Sequence, residues 1–438
     1  MGYPGTQKRD DSRMNPPDAS VVVGRPVRIA YVVWKFPRFS ETFVTNELFF
    51  LGLAAPGLQV RVFAVRKGDA GAESSRVAAL RPLLTYLPAL WAPCSWWWMV
   101  HAVWGAPRAV ARIFVALLRL SAQQPSHGAR LYAMAQSLYA LSKGLPLAVL
   151  LRREQVAHAH AHFAETGGLV AWVAARVAGI PFSVTLHGHD IFFNPNPLLA
   201  AFLIRESRFA ITVSEYNRRF LARMEPAAQS KVRVVHCGVD LALFRPGEPR
   251  TIGVFRILTV ARLQPRKGIA DLVEACRALA DEVDYECVVV GDGPQRTELE
   301  DKAARYGLAE RFRFLGARAH EEVLAQLQKA SVFVLPSYSE GVPVSVMEAM
   351  AMGVPVIATA VNGVPELVKR GAGILVAPGD IEGLAAALRR VANMSDAERG
   401  RMGRKARQVV EREFDIRTQS AALARMFLSS SSEVQARG

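Results

Sequence analysis

The sequence predicts an α/β protein made of two Rossmann-like domains in tandem, each a parallel sheet covered by helices. Three observations predict it. Apolar strand-like runs alternate with helix-like stretches along most of the chain, as in a parallel sheet whose crossovers are helices. The alternation breaks at LALFRPGEPRTIG, residues 241–253, whose Pro and Gly residues read as an interdomain linker. At 438 residues, the chain is also too long for a single core, since domains average roughly 150 residues.

The first series opens with VRIAYVV (27–33) as a strand, SETFVTNELFFLGL (40–53) as a helix with Ser40 as its cap, and LQVRVFAV (58–65) as the next strand. After an interruption over about 74–153 it resumes with VAHAHAHF (156–163), a helix over 166–177, PFSVTLHG (181–188), FAITVS (209–214) and VRVVHCG (232–238). A second series runs through RILTVARL (256–263), YECVVVGDG (285–293), RFRFLG (311–316), SVFVLPS (331–337), PVIAT (355–359) and GILVAP (373–378), each followed by a helical stretch. An Arg-rich helix over 395–413 and another over 416–428 close the chain. The resulting division is a disordered tail at 1–24, a first domain at 25–248 with an insertion at 74–153, a second domain at 249–412, and a closing segment at 413–438.

Composition narrows the class. Apolar residues are 51% and charged residues 21%, with only 32 Gly and 25 Pro, which excludes disordered and collagen-like chains. The net charge is +15, and it is one-sided: 29 basic against 15 acidic residues up to position 250, then 25 against 24. Such asymmetry points to an anionic partner for the first half, either nucleic acid or a lipid surface. The four cysteines show no C-x-x-C spacing, which fits a reducing, cytosolic compartment. Lys8 and Arg9 are followed by DDSRMNPPDAS and not by an apolar stretch, so no secretory signal is expected.

In doubly wound sheets ligands bind beyond the carboxyl ends of the strands, and the informative motifs lie there. SYSEGVPVSVMEAMAMGVPVIAT (337–359) places Glu340 and Glu348 eight residues apart around a predicted helix start at Pro343. Backbone N–H groups at Gly341, Val342 and Pro343's turn would face a phosphate or sugar, and a carboxylate at Glu348 can accept both hydroxyls of a ribose. The competing reading is a loop-tip charge and a solvated helix residue, but an acid inside VMEAMAMG would then go unexplained. In ARLQPRKG (261–268), Arg262 and Lys267 can converge on a diphosphate, and Gly268 permits close backbone approach. Two loop cations alone are commonly just solvated; beside the glutamate pair they describe a nucleotide diphosphate pocket.

Gly291, in VVVGDGPQ (288–295), borders that pocket or simply makes a turn, and the absence of G-x-G-x-x-G argues against a dinucleotide oxidoreductase. Gly316 and Ala317, after RFRF, are candidates to present backbone groups to the base. In the first half TLHGHDIF (185–192) puts His187 directly after a strand, where it can reach a sugar hydroxyl or developing charge, with Asp190 orienting a neighbour. A core histidine satisfied by backbone is the alternative. His158, His160 and His162 alternate along one strand, but a spread of about 13 Å is too large for the three to chelate one ion. Only His162, nearest the strand end, is a cleft candidate.

These residues resemble the retaining glycosyltransferases of family 4, whose GT-B fold has two Rossmann-like domains with parallel sheets facing an interdomain cleft. The likeness runs from about Val27 to Phe427 and is strongest in ARLQPRKG and EGVPVSVMEAMAMGVPVIAT; FPRFSETFVTNEL, AHAHFA and TLHGHDIF look like the exopolysaccharide, colanic-acid-type branch. The resemblance implies that Glu340 contacts the donor sugar, Glu348 the ribose, Arg262 and Lys267 the diphosphate, and His187 the sugar at the reaction centre. It also implies closing helices that brace the first domain, and transfer of a sugar from a UDP- or GDP-sugar to an acceptor hydroxyl with retention. One departure is the loop WKFPRFSET, which lacks the glycines common in the family; Ser40 and its backbone are the candidates there. No D-x-D occurs, so no metal and no separate cofactor are expected. A sugar-nucleotide epimerase on the same fold and a non-catalytic lipid- or glycan-binding module are the competing functions.

Between Arg76 and Arg153 there is no Asp or Glu, yet nine Arg or Lys and five of the seven tryptophans, Trp91, Trp96, Trp97, Trp98 and Trp104, fall there. Residues 82–107 are uncharged and long enough to raise a transmembrane helix, although prolines at 88, 93 and 107 leave 13 residues as the longest proline-free piece. In RAVARIFVALLR (108–119), Arg108, Arg112 and Arg119 share one face, while Ile113, Phe114, Leu117 and Leu118 lie mainly on another. Trp with Arg in this combination describes a helix in a membrane interface; a Trp-rich insertion packed into the domain is the alternative. No nucleic-acid motif accompanies the charge. The expected partners are a nucleotide sugar, a lipid-linked or polysaccharide acceptor in exopolysaccharide or lipopolysaccharide synthesis, and the anionic inner face of the cytoplasmic membrane.

Overall fold

The computed structural model describes residues 26–38, 41–69, 71–72, 74–247 and 253–435, with side chains as far as Ser430. The tail at 1–24 and the cap at Ser40 lie outside the described residues. Two sheets dominate, and every strand pairing between them is parallel. The first contains β1 (Val27–Phe36), β2 (Leu58–Lys67), β3 (Leu84–Tyr86), β4 (His158–His162), β5 (Phe182–Leu186), β6 (Phe209–Thr212) and β7 (Val232–Val234), in the order β3-β2-β1-β4-β5-β6-β7. The second contains β8 (Phe255–Val260), β9 (Tyr285–Val290), β10 (Phe312–Gly316), β11 (Val332–Leu335), β12 (Val356–Thr359) and β13 (Ile374–Val376), ordered β10-β9-β8-β11-β12-β13.

The residues explain the layering. Ile29–Val33 of β1 and all of β4, β5, β11 and β12 are buried, as strands covered on both faces must be. Strand order reverses between β1 and β4 in one sheet and between β8 and β11 in the other. Each reversal opens a crevice where crossing helices leave on opposite faces. The two crevices hold the chemistry described below.

The interruption at 74–153 turns out to belong to the first sheet. It supplies the edge strand β3, paired to β2, which its short sequence LTY did not announce. The rest is helical: Ser75–Leu80, Pro93–Gly105, Pro107–Ala122 and His127–Arg153. The uncharged run 82–107 is therefore a turn, an edge strand, a loop and a helix, because its prolines end one element and begin the next. Helix His127–Arg153 is long and apolar enough to cross a membrane, but 61% of its apolar window is buried inside the protein, where its residues from Ala140 to Leu151 join the first-domain core.

Helix Pro107–Ala122 turns Ile113, Leu117 and Leu120 inward. Phe114 and Leu118, grouped with them by the sequence pattern, are 46% and 44% exposed, since the stripe continues to position 120 along the side facing the long helix.

Of the two closing helices, the first stays with the second domain and the last returns to the first. Asp396–Glu413 starts at a Ser395 cap whose hydroxyl accepts from the Glu398 N–H, and its Val410 and Ala406 enter the second-domain core. The chain then crosses beside Val239, which donates to the Phe414 carbonyl at 2.8 Å and accepts from the Ile416 N–H at 3.1 Å. Helix Ile416–Gln435 next buries Leu423, Ala424 and Phe427 among β1 and the helix Thr42–Ala54. The Phe427 ring meets Tyr31, His158, His160 and Phe209 at centroid distances of 5.2–6.0 Å. Phe427→Ala should cost about 3–5 kcal/mol of stability, read as a lower denaturation midpoint in urea; a change below about 1 kcal/mol would show that this helix does not brace the first domain.

Candidate functional site

The second-domain crevice forms where the loop after β8 docks on the loop after β11. Gly268 has φ +64°, and a Cβ there would stand 2.0 Å from the Pro336 carbonyl, so only glycine allows the approach. The Tyr338 N–H donates to the Arg266 carbonyl at 2.8 Å. This backbone seam carries Lys267 to Glu340: Nζ lies 2.5 Å from Oε1, with the two side chains only 15% and 8% exposed. Ser337, fully buried, donates to the same oxygen at 2.6 Å, and the Thr359 hydroxyl ties the Ser337 carbonyl. Arg262 is exposed on the same loop and has no ion pair among the described residues.

Glu348 lies one helix face away, on Val344–Ala351, and is buried. His320 Nε2 stands 3.2 Å from its Oε1. Burial opposes protonation of His320, but the adjacent Glu348 carboxylate outweighs it and raises its pKa. His320 also meets the Phe244 ring at 4.9 Å. Pro343 precedes the helix instead of occupying its first turn, because its ψ of 118° is extended. Val342 turns its side chain into the core, so only its backbone can serve a ligand. Gly291, at φ +138°, fits against the Ala261 carbonyl. Its N–H donates to the Gly316 carbonyl at 2.9 Å, which leaves the exposed Ala317 as the outward-facing end of β10.

Across the cleft, the loop after β5 brings the first-domain residues forward. Asp190 is fully buried and accepts from the backbone N–H groups of His187 and Gly188, both at 3.0 Å, and of Ala164 at 2.8 Å. Burial raises its pKa against these three hydrogen bonds. Asn217 donates to the His187 carbonyl at 2.6 Å. That carbonyl then meets the second domain: a Cβ on Gly341 would lie 2.6 Å from it, and a Cβ on Gly363 would lie 2.4 Å from the Gly341 carbonyl and 2.9 Å from Ser214 Cβ. Glu366 closes the same seam, accepting from the N–H groups of Glu215 and Tyr216 at 2.9 and 2.7 Å, at the start of a helix where a carboxylate is favoured.

The first-domain crevice, between β1 and β4, holds a histidine array. His162 Nδ1 is 2.9 Å from His187 Nε2, and His162 Nε2 is 3.0 Å from Glu47 Oε1. Burial and the His162 ring push the pKa of His187 well below the usual histidine range, and burial does the same to His160 and to His158, the last down to about 3. Ligand atoms of Glu47, His160 and His162 lie within 4.8 Å of one another, a convergence the strand spacing did not foresee because Glu47 comes from the helix Thr42–Ala54. Both nitrogens of His160 already face hydroxyls, Ser183 at 2.8 Å and Thr185 at 3.1 Å, so the array reads as a hydrogen-bonded network.

The structure thus brings Glu340, Gly341, Lys267 and His187 together, buries the cleft candidates Asp190 and His162 behind His187, and sets Glu348 beside His320. Five contributors were missed: Ser337, His320, Glu366, Asn217 and Glu47. Ser337 sat unremarked inside the chosen motif. The others are single polar residues on helices or loops, where only a folded partner distinguishes them from surface.

Two families match in series: one described as Glycosyltransferase Family 4 over residues 117–243, and Glycosyl transferases group 1 over residues 248–409. WcaL of Escherichia coli K12, named for colanic acid biosynthesis, is 28% identical over 91% of this chain and 98% of its own length. TuaC of Bacillus subtilis, named for teichuronic acid biosynthesis, is 33% identical over 53% of this chain and 60% of its own. Among solved structures, HepE of Anabaena in complex with UDP and glucose superposes with a TM-score of 0.66 at 17% identity, covering 92% of this chain and all of that one.

Gly341→Val should force the domains apart, since the new Cβ enters the His187 carbonyl. Small-angle scattering should record a larger radius of gyration with an unchanged circular dichroism spectrum, at an overpacking cost of about 1–3 kcal/mol; an unchanged radius would show that the seam yields.

Proposed function

The chain belongs to the family 4 glycosyltransferases of the GT-B fold, enzymes acting on nucleotide sugars in polysaccharide biosynthesis, and we propose that it is a retaining, metal-independent transferase building a lipid-linked glycan. The donor is a UDP- or GDP-sugar. The observation that carries this reading is the Lys267–Glu340 pair at the β8/β11 crevice, pressed against the His187 loop of the other domain.

In the proposed reaction the bond between the anomeric carbon and the β-phosphate oxygen breaks, and the acceptor oxygen bonds to that carbon on the same face. The acceptor's proton passes to the departing phosphate. Charge develops on the leaving diphosphate, so Lys267 and the exposed Arg262 favour the transition state over the ground state. Glu340 keeps its Ser337 hydrogen bond when Lys267 turns to the diphosphate, and faces the sugar. Glu348 takes the ribose hydroxyls, with Gly341 and the β9 and β10 ends bordering the nucleotide. His187 meets the sugar from the first domain.

The acceptor reading is supported by the insertion surface. Trp91, Trp97 and Trp104 are 85%, 71% and 82% exposed, and Arg108, Arg112, Arg119 and Arg130 are exposed near them in sequence, with no acidic residue from 76 to 153. Aromatic rings at headgroup depth and arginines against anionic lipid would hold the enzyme peripherally on the cytoplasmic face.

The protein should sediment with vesicles of anionic lipid at low salt and be released at high salt; failure to bind at low salt overturns the membrane reading. Lys267→Ala, checked for folding by circular dichroism, should lower turnover at least about tenfold, with unchanged turnover removing Lys267 from the site. Consumption of the nucleotide sugar without an acceptor would instead identify an epimerase.

A further inference from the structure

The histidine array at the first-domain crevice runs in one direction, from the core to the cleft. Tyr31 on β1 donates to Glu47 Oε1 at 2.8 Å, and His162 Nε2 lies 3.0 Å from the same oxygen. His162 Nδ1 is 2.9 Å from His187 Nε2, and His187 Nδ1 is 3.9 Å from Cys237 Sγ. The His162 and His187 rings stack at 5.2 Å, and Phe43 and Phe163 hold His187 at 4.7 and 4.6 Å.

The chemistry of each group gives the chain its sense. A carboxylate only accepts, so His162 donates to Glu47 from Nε2. Where His162 carries only that hydrogen, its Nδ1 is bare and the hydrogen between the two rings belongs to His187 Nε2. Burial keeps His187 neutral, which leaves its Nδ1 bare. The contact there is with a thiol whose pKa burial raises, a weak donor at long range that a sugar hydroxyl would displace.

We propose that Glu47, acting through His162, is a positioning residue that fixes His187 as the Nε2–H tautomer and so presents Nδ1 as an acceptor for a hydroxyl of the sugar. This rests on the reading of His187 as the first-domain group facing the sugar. The site would thereby select sugars that place a hydroxyl, as donor, at that nitrogen.

Two measurements test it. In protein labelled with nitrogen-15 at histidine, two-bond proton–nitrogen spectra at neutral pH should show His187 with hydrogen on Nε2 and a bare Nδ1; hydrogen on Nδ1 overturns the proposal without any variant. Glu47→Leu should lower kcat about tenfold with the donor KM within about threefold, and should mix the His187 tautomers. Glu47→Gln, whose oxygen still accepts, should recover most of the lost turnover. Glu47→Leu with wild-type kcat, or Glu47→Gln as impaired as Glu47→Leu, overturns the relay. His187→Ala separates the two layers: a fully active His187→Ala removes the sugar-facing reading itself, whereas an inactive His187→Ala beside a fully active Glu47→Leu removes only the relay.

Discussion

Everything in the cleft depends on one close approach, the His187 carbonyl against Gly341. No side chain fits between them, and Gly363 repeats the constraint against the Gly341 carbonyl. The loop after β5 can therefore lie against the loop after β11, which puts the carboxyl ends of two separate sheets face to face. Asp190 and Asn217 hold the first of these loops through the backbone. The second is held by the Gly268 seam and the Ser337 network.

Electrostatics then separates the site from the exposed surface pairs, in a burial it shares with Arg76–Asp240. Several ion pairs, such as Arg389–Glu282 or Lys369–Glu413, have both side chains a third or more exposed, and such pairs contribute little to stability. Lys267–Glu340 is largely buried, so leaving either partner alone costs several kcal/mol. A pair of that kind is weak evidence for stability; in the proposed reaction a diphosphate takes over the Lys267 half of it. Glu348 with His320 repeats the pattern at the nucleoside end of the proposed site.

The basic half of the chain has two faces. Inward, Ile113, Leu117, Leu120 and the long helix complete the first-domain core; outward, tryptophans and arginines stay in solvent. The inward face is the packed insertion, and the outward face is the one a proposed membrane contact would use, as an amphipathic helix allows.

Strand alternation and the motifs at strand ends were legible from the residues, since parallel strands are apolar throughout and their C-terminal loops are where glycine, cations and acids collect. Lys267 and Glu340 could each be read as pocket residues, but their 2.5 Å pairing could not, being separated by 73 positions. The edge strand β3 was illegible because three residues carry no period. Glu47, His320 and Glu366 each look like ordinary surface acids or bases in sequence. Their roles arise only when helices from different crossovers meet, because hydrogen bonds are short and directional whereas sequence patterns record only burial. The chain by itself determined two parallel-sheet domains and the residue types at their mouths; tertiary structure alone decided which of those residues touch, because the two switch points face each other only through contacts between backbones that carry no side-chain signature.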